Sequence, residues 1–220
     1  MIDVIQQIES VRREVGSGRL PAGEAHIVRL GRTYRAPIGE VWDALTDPDR
    51  IGRWFLPISG DYRLGGHYQF EGNAGGEILA CERPNRLRVT WVFGPPDAPA
   101  SEVEVRLAPE GDERTRLELE HAAIVPEEMW DQFGPGAVGV GWEGGLLGLA
   151  LHLTGGTIDD PMAWQVSGEG RDFNTRSSVA WGEVSRAAGA DAETVARNVA
   201  NTTAFYTGLP AGEGDASVDA

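Results

Sequence analysis

The chain has 220 residues, 41% hydrophobic and 24% charged, which suits one well-buried globular domain with helical additions or at most two small domains. Its formal net charge of −15 disfavours nucleic acid and anionic lipid as partners, because both attract basic patches. All 19 basic residues are arginine, which excludes Schiff-base catalysis by a lysine side chain and removes the lysine a P-loop needs.

No apolar run approaches the roughly 18 residues needed to span a bilayer. The N-terminus, MIDVIQQIESVRREV, mixes apolar and charged residues rather than forming the unbroken core of a signal peptide, so a cytoplasmic location is expected. In that segment Met1, Val4, Ile8, Val11 and Val15 recur at spacings of 3 and 4, which predicts a helix over residues 1–15. The seam either docks on the domain or makes a homodimer contact. GSGRLPAGE (16–24) reads as a linker, so residues 1–25 are expected as an N-terminal helix and linker.

From His26 the pattern becomes that of a strand, with Val28, Leu30 and Tyr34 on one face. Arg32 falls in phase with them, and its place near the strand end favours a side chain that reaches water over an inward anion anchor. Pro37 stops the strand and suits a first helical turn; Ile38, Val41, Trp42 and Leu45 then form an apolar stripe. Asp47-Pro48-Asp49 breaks that helix and can cap a second short one carrying Ile51, Trp54 and Phe55.

Short strands follow. Tyr68 and Phe70 alternate in RLGGHYQFEG, and NAGG (73–76) makes a turn. Leu87, Val89, Trp91 and Phe93 alternate in the second strand of GEILACERPNRLRVTWVF. SEVEVRLAPEGDERTRLELEH is a clear hairpin, with Val103, Val105 and Leu107 facing the same way as Leu117 and Leu119. Charge on the opposite face of these strands predicts a sheet covered on one side and wet on the other. Cys81, the only cysteine, excludes an internal disulfide and a thiolate-rich metal site, and is expected as a small buried hydrophobe.

From Gly136 to Leu153, Val138, Trp142, Leu146, Leu149 and Leu153 hold one face of a long helix. Its six glycines each cost about 1 kcal/mol relative to alanine. Gly141, Gly145 and Gly148 share a stripe, so sheet, ligand or another helix is expected to approach the backbone there. Two more helices follow. In the first, Phe173, Ser177, Ala180, Trp181, Val184 and Ala188 repeat at helical spacing; the second has Asp191 as N-cap and Gly208 beyond its end. Residues 209–220 read as a disordered acidic tail.

The segments APIGEVWDALTDPDRIGRWF (36–55), GGHYQFEG (65–72), GEILACERPNRLRVTW (76–91) and GWEGGLLGLALHL (141–153) together resemble the SRPBCC (START / birch-pollen-allergen-like) superfamily. Within it they are similar to the branch named after activators of a heat-shock-protein ATPase. The resemblance covers about residues 26–155 and implies an α+β helix-grip fold, a curved antiparallel β-sheet around a long C-terminal helix. The helices at about 156–208 are extra to that domain. Co-chaperones of that name carry a separate chaperone-binding domain N-terminal to it, and residues 1–24 are too short to be one.

In such a fold the inner sheet face and the long helix enclose a cavity. The resemblance makes Phe55, Tyr68, Phe70, Val89, Trp91, Leu119, Trp142 and Leu146 candidates to line it, with His121 pointing inward by alternation as base, anchor or hydrogen-bonded structural residue. Glu143, beside Trp142, is expected to meet solvent or an arginine. His26, His67, His121 and His152 show no metal-ligand spacing, and no nucleotide-binding glycine motif or nucleophile elbow is present, so no metal or cofactor is expected. The leading expectation is binding or carriage of a small apolar or amphipathic molecule. Alternatives are a cyclase- or hydrolase-like enzyme using His121 and Tyr68, and a chaperone-associated regulatory protein.

Overall fold

The computed structural model describes residues 2–93 and 101–210. Met1 of the N-terminal seam and positions 211–220 of the expected tail lie outside the described residues.

The expected N-terminal helix and linker are corrected. Helix α1 spans only Val4–Glu9, and strand β1 (Arg12–Leu20) turns at Pro21-Ala22 into β2 (Gly23–Tyr34). A charged residue on the inner face disguised the strand. Val11, Arg13 and Val15 alternate inward, and Arg13 is stabilised there by a carboxylate 130 residues away. Among the seam residues, Val4 packs on Leu147 and Phe173, and Val11 joins the main core.

Helices α2 (Ile38–Thr46) and α3 (Pro48–Ile51) follow, and the Asp47 side chain caps the second by accepting from the Asp49 and Arg50 amides. Strands β3 (Ile58–Gly60), β4 (His67–Phe70), β5 (Gly75–Glu82), β6 (Arg86–Trp91), β7 (Ser101–Pro109) and β8 (Thr115–Ala123) complete an antiparallel sheet of order β1-β2-β8-β7-β6-β5-β4-β3. Its outer face carries cross-strand ion pairs such as Arg29–Glu120 (2.6 Å) and Arg86–Glu104 (3.0 Å). Its inner face carries Val28, Leu30, Tyr34, Val103, Leu107, Leu117 and Leu119, all in the core. Phe93 is corrected: β6 ends at Trp91, and Phe93 leaves the sheet 68% exposed.

Helix α4 (Glu127–Phe133) leads into α5 (Gly136–Leu153), which lies along the inner face; Tyr34 donates to the Leu146 carbonyl at 3.2 Å. Helix α6 (Pro161–Gln165) precedes α7 (Gly168–Ala187) and α8 (Ala192–Thr207), with Asp191 capping α8 and Gly208 ending it at φ 68°. The last two helices brace the start of α5. Trp181 of α7 is fully buried against Gly139, where an added Cβ would meet its ring at 2.1 Å. From α8, Asn198 and Asn201 donate to the Asp131 and Gln132 carbonyls, Thr202 to Phe133, and Tyr206 to Ala137. Carbonyls at the end of α4 that no helix continues are satisfied in this way.

A candidate ligand cavity between sheet and helix

Helices α2 and α3 with the segment after them, strands β3 to β8 and helix α5 line a cavity of about 200 Å³. Eight of the nine residues expected to line it do so: Phe55, Tyr68, Phe70, Val89, Trp91, Leu119, Trp142 and Leu146. Their aromatic rings form a connected wall. Phe55 meets Phe70 edge-on at 5.0 Å between centroids, and Trp91 meets Trp142 at 4.9 Å. Sequence reasoning missed Trp54, Ile78, Leu87 and Gly145, which also line it. For Leu87 the alternation with Val89 and Trp91 was signal enough; for Gly145 a glycine has no side chain to announce a pocket.

His121 is corrected, because it lies off the cavity wall. Trp142 Nε1 donates to His121 Nδ1 at 3.0 Å, so the ring proton resides on Nε2 and is donated to Ser101 Oγ at 2.9 Å. Ser101 in turn donates to the Trp91 carbonyl at 2.5 Å. Desolvation lowers the His121 pKa to about 4, so the ring is neutral near pH 7. The histidine is thus a spacer that ties the two cavity tryptophans together, with its one lone pair already used.

Three further polar groups of the lining are similarly committed. Tyr68 donates to the Thr90 carbonyl at 2.7 Å, Trp54 Nε1 to Ala44 at 2.9 Å and Thr46 to Trp42 at 2.8 Å. Burial raises the Tyr68 pKa, so its hydroxyl stays protonated. Arg63, at the mouth, is largely exposed and paired with Asp61 at 2.6 Å. Tyr62 and Leu64 flank it and are 44% and 65% exposed.

Cys81 is corrected as well: it is exposed and belongs to the cavity wall. The register of β5 shifts by one residue between Ile78 and Ala80, so Ile78 opposite Val89 and Cys81 opposite Leu87 face the same side. Arg32, expected to reach water, is 8% exposed, hydrogen-bonds Gln7 and lies 5.4 Å from the Tyr34 ring centroid. Glu143 meets Arg13, the arginine partner that was one of its two expected surroundings.

Among the described residues no group of three or more His, Cys, Asp or Glu is placed to hold a metal ion, and no helix is long and apolar enough to cross a membrane.

An antiparallel sheet gripping a long helix around an apolar cavity defines a helix-grip protein of the SRPBCC class. The family model described as Activator of Hsp90 ATPase homolog 1-like protein matches residues 35–153, and the chain belongs to that family. The crystal structure of CalU16 from Micromonospora echinospora is 42% identical, with a TM-score of 0.65 over 80% of this chain and 98% of that one. Its solution structure gives 39% identity and a TM-score of 0.67 over 80% and 96%. Protein MLL2253 from Mesorhizobium loti, at 23% identity and a TM-score of 0.51 over 60% and 99%, shares the fold. No curated protein matches the chain. The family fold supports a ligand-binding role.

Proposed function

We propose that the protein binds and carries a small, uncharged, apolar or amphipathic molecule in this cavity. The observation that carries the reading is an aromatic void whose polar hydrogens on Tyr68, Trp54, Thr46 and Trp142 already go to protein acceptors. A charge buried among these rings would go unpaired, at a cost of several kcal/mol, and the lining guanidinium of Arg63 lies at the exposed mouth, already paired with Asp61. An apolar cavity of about 150 Å³ is enough to take up benzene, so this one suits a one- or two-ring molecule with room to protrude through the mouth.

An enzymatic role for His121 and Tyr68 has less support, since each is engaged by another protein group. The test is native mass spectrometry of the purified protein, followed by titration with the neutral fluorophore N-phenyl-1-naphthylamine. A retained small molecule, or saturable one-to-one uptake of the fluorophore, is the expected result. A bare protein that takes up no fluorophore overturns the reading.

A further inference from the structure

The glycines of α5 do not all have the same reason to be glycine. An added Cβ at Gly139 would sit 2.1 Å from the Trp181 ring, at Gly148 2.6 Å from the Trp54 carbonyl, at Gly141 2.9 Å from the Tyr206 hydroxyl and at Gly136 3.0 Å from Thr202. Packing closes Gly139 and Gly148 to larger side chains and leaves Gly136 and Gly141 tightly contacted. Gly144 and Gly145 are different. Nothing lies within 4 Å of a Cβ at Gly144, and at Gly145 the nearest atoms belong to the Phe55 ring at 3.8 and 4.0 Å, an ordinary van der Waals distance.

Alanine at 145 would therefore fit without strain and would favour the helix. The helix nevertheless carries a bare backbone here, and Gly145 is the one α5 glycine among the residues that line the cavity. Trp142, Leu146 and Leu149 of the same helix line it too, so the missing side chain leaves a recess between larger ones, next to Phe55. A side chain at this point would project toward the Phe55 ring and into the recess beside it.

We propose that Gly145 determines which ligands the cavity admits: its bared backbone is a shelf for the flat face of an uncharged aromatic ring system, beside Phe55. A flat ring suits the shelf because it can approach a Cα with no Cβ and still meet the edges of the surrounding aromatic side chains. The inference rests on the binding reading above and adds to it the residue that limits ligand size.

The experiment titrates N-phenyl-1-naphthylamine into the wild type and the Gly145→Ala, Gly145→Leu and Gly144→Ala variants, with thermal unfolding of each. Gly144→Ala gains the same helix preference away from the cavity, so it controls for rigidity. Gly145→Ala is expected to bind about fourfold more weakly and Gly145→Leu at least about tenfold more weakly, with Gly144→Ala unchanged. Both alanine variants are expected to unfold a few degrees higher, which shows that weaker binding does not come from a damaged fold. Wild-type uptake that persists undiminished in Gly145→Leu overturns the role of Gly145 and leaves the cavity reading standing. No uptake by the wild type overturns both.

Discussion

Arg13 of β1 and Glu143 of α5 face each other through two contacts of 2.7 Å, Nε to Oε1 and Nη2 to Oε2, with side chains 9% and 0% exposed. Arg13 also donates to the carbonyls of Val11 and Ile8. One side chain thereby closes the end of α1, holds β1 and fixes the face of α5 that does not line the cavity.

The pair predicts an asymmetric response to mutation. Glu143→Gln removes one charge and leaves Arg13 buried without a counter-ion, so a loss of about 3–5 kcal/mol is expected in chemical denaturation. Replacing both residues by methionine removes both desolvation penalties but strands the Val11 and Ile8 carbonyls, so part of the lost stability is expected to return. Equal destabilisation in the single and double variants would show that the pair's role is something other than mutual neutralisation.

His121 predicts a pH dependence with a definite sign. Its folded pKa of about 4 lies below the ordinary 6.5, so between those values the unfolded chain binds the extra proton. Stability from this group is complete above about pH 6.5 and falls as pH drops towards 4, by about 3 kcal/mol in all. Carboxylates titrate in the same range, so the informative quantity is the difference between the wild type and His121→Gln, whose amide neither charges nor loses both hydrogen bonds. The stability difference between the two proteins is expected to shrink, or to reverse, from pH 7.5 to pH 4.5.

Cys81 provides a probe of occupancy. It is the only thiol, it is exposed, and it belongs to the cavity wall. A maleimide is expected to label the native protein once, and saturating N-phenyl-1-naphthylamine is expected to slow that labelling severalfold. Labelling at an unchanged rate, with the fluorophore bound, would place the fluorophore elsewhere.

Gly139 tests the brace formed by α7. Gly139→Ala drives a methyl group into the fully buried Trp181 ring, and a loss of about 1–3 kcal/mol or more is expected in thermal or denaturant unfolding. Combining it with Trp181→Phe, which makes room, is expected to cost less than the sum of the two single changes.

Much of the fold was legible because most of its elements carry their own period. The hairpin of Val103, Val105 and Leu107 with Leu117 and Leu119 alternates strictly, and the stripe from Val138 to Leu153 repeats at helical spacing over the full length of α5. The same periods turned apolar side chains inward, since a strand or helix with one apolar face has only one direction in which to bury it, while it was the resemblance to the helix-grip fold that implied a cavity for eight of them to line.

Where reading by period failed, a distant partner had changed what a position could tolerate. Arg13 broke the apolar alternation of β1 because Glu143 neutralises it, and Arg32 is buried because Gln7 and Tyr34 receive it. Cys81 changed sides because a single extra residue in β5 shifts the register. The sequence by itself determined the periods, hence the elements and the side chains that seek the interior. Only the tertiary structure decided which groups are paired, which glycines are filled by a neighbour and which one opens on the cavity. Those properties depend on atoms from segments far apart in the chain, and no local spacing encodes them.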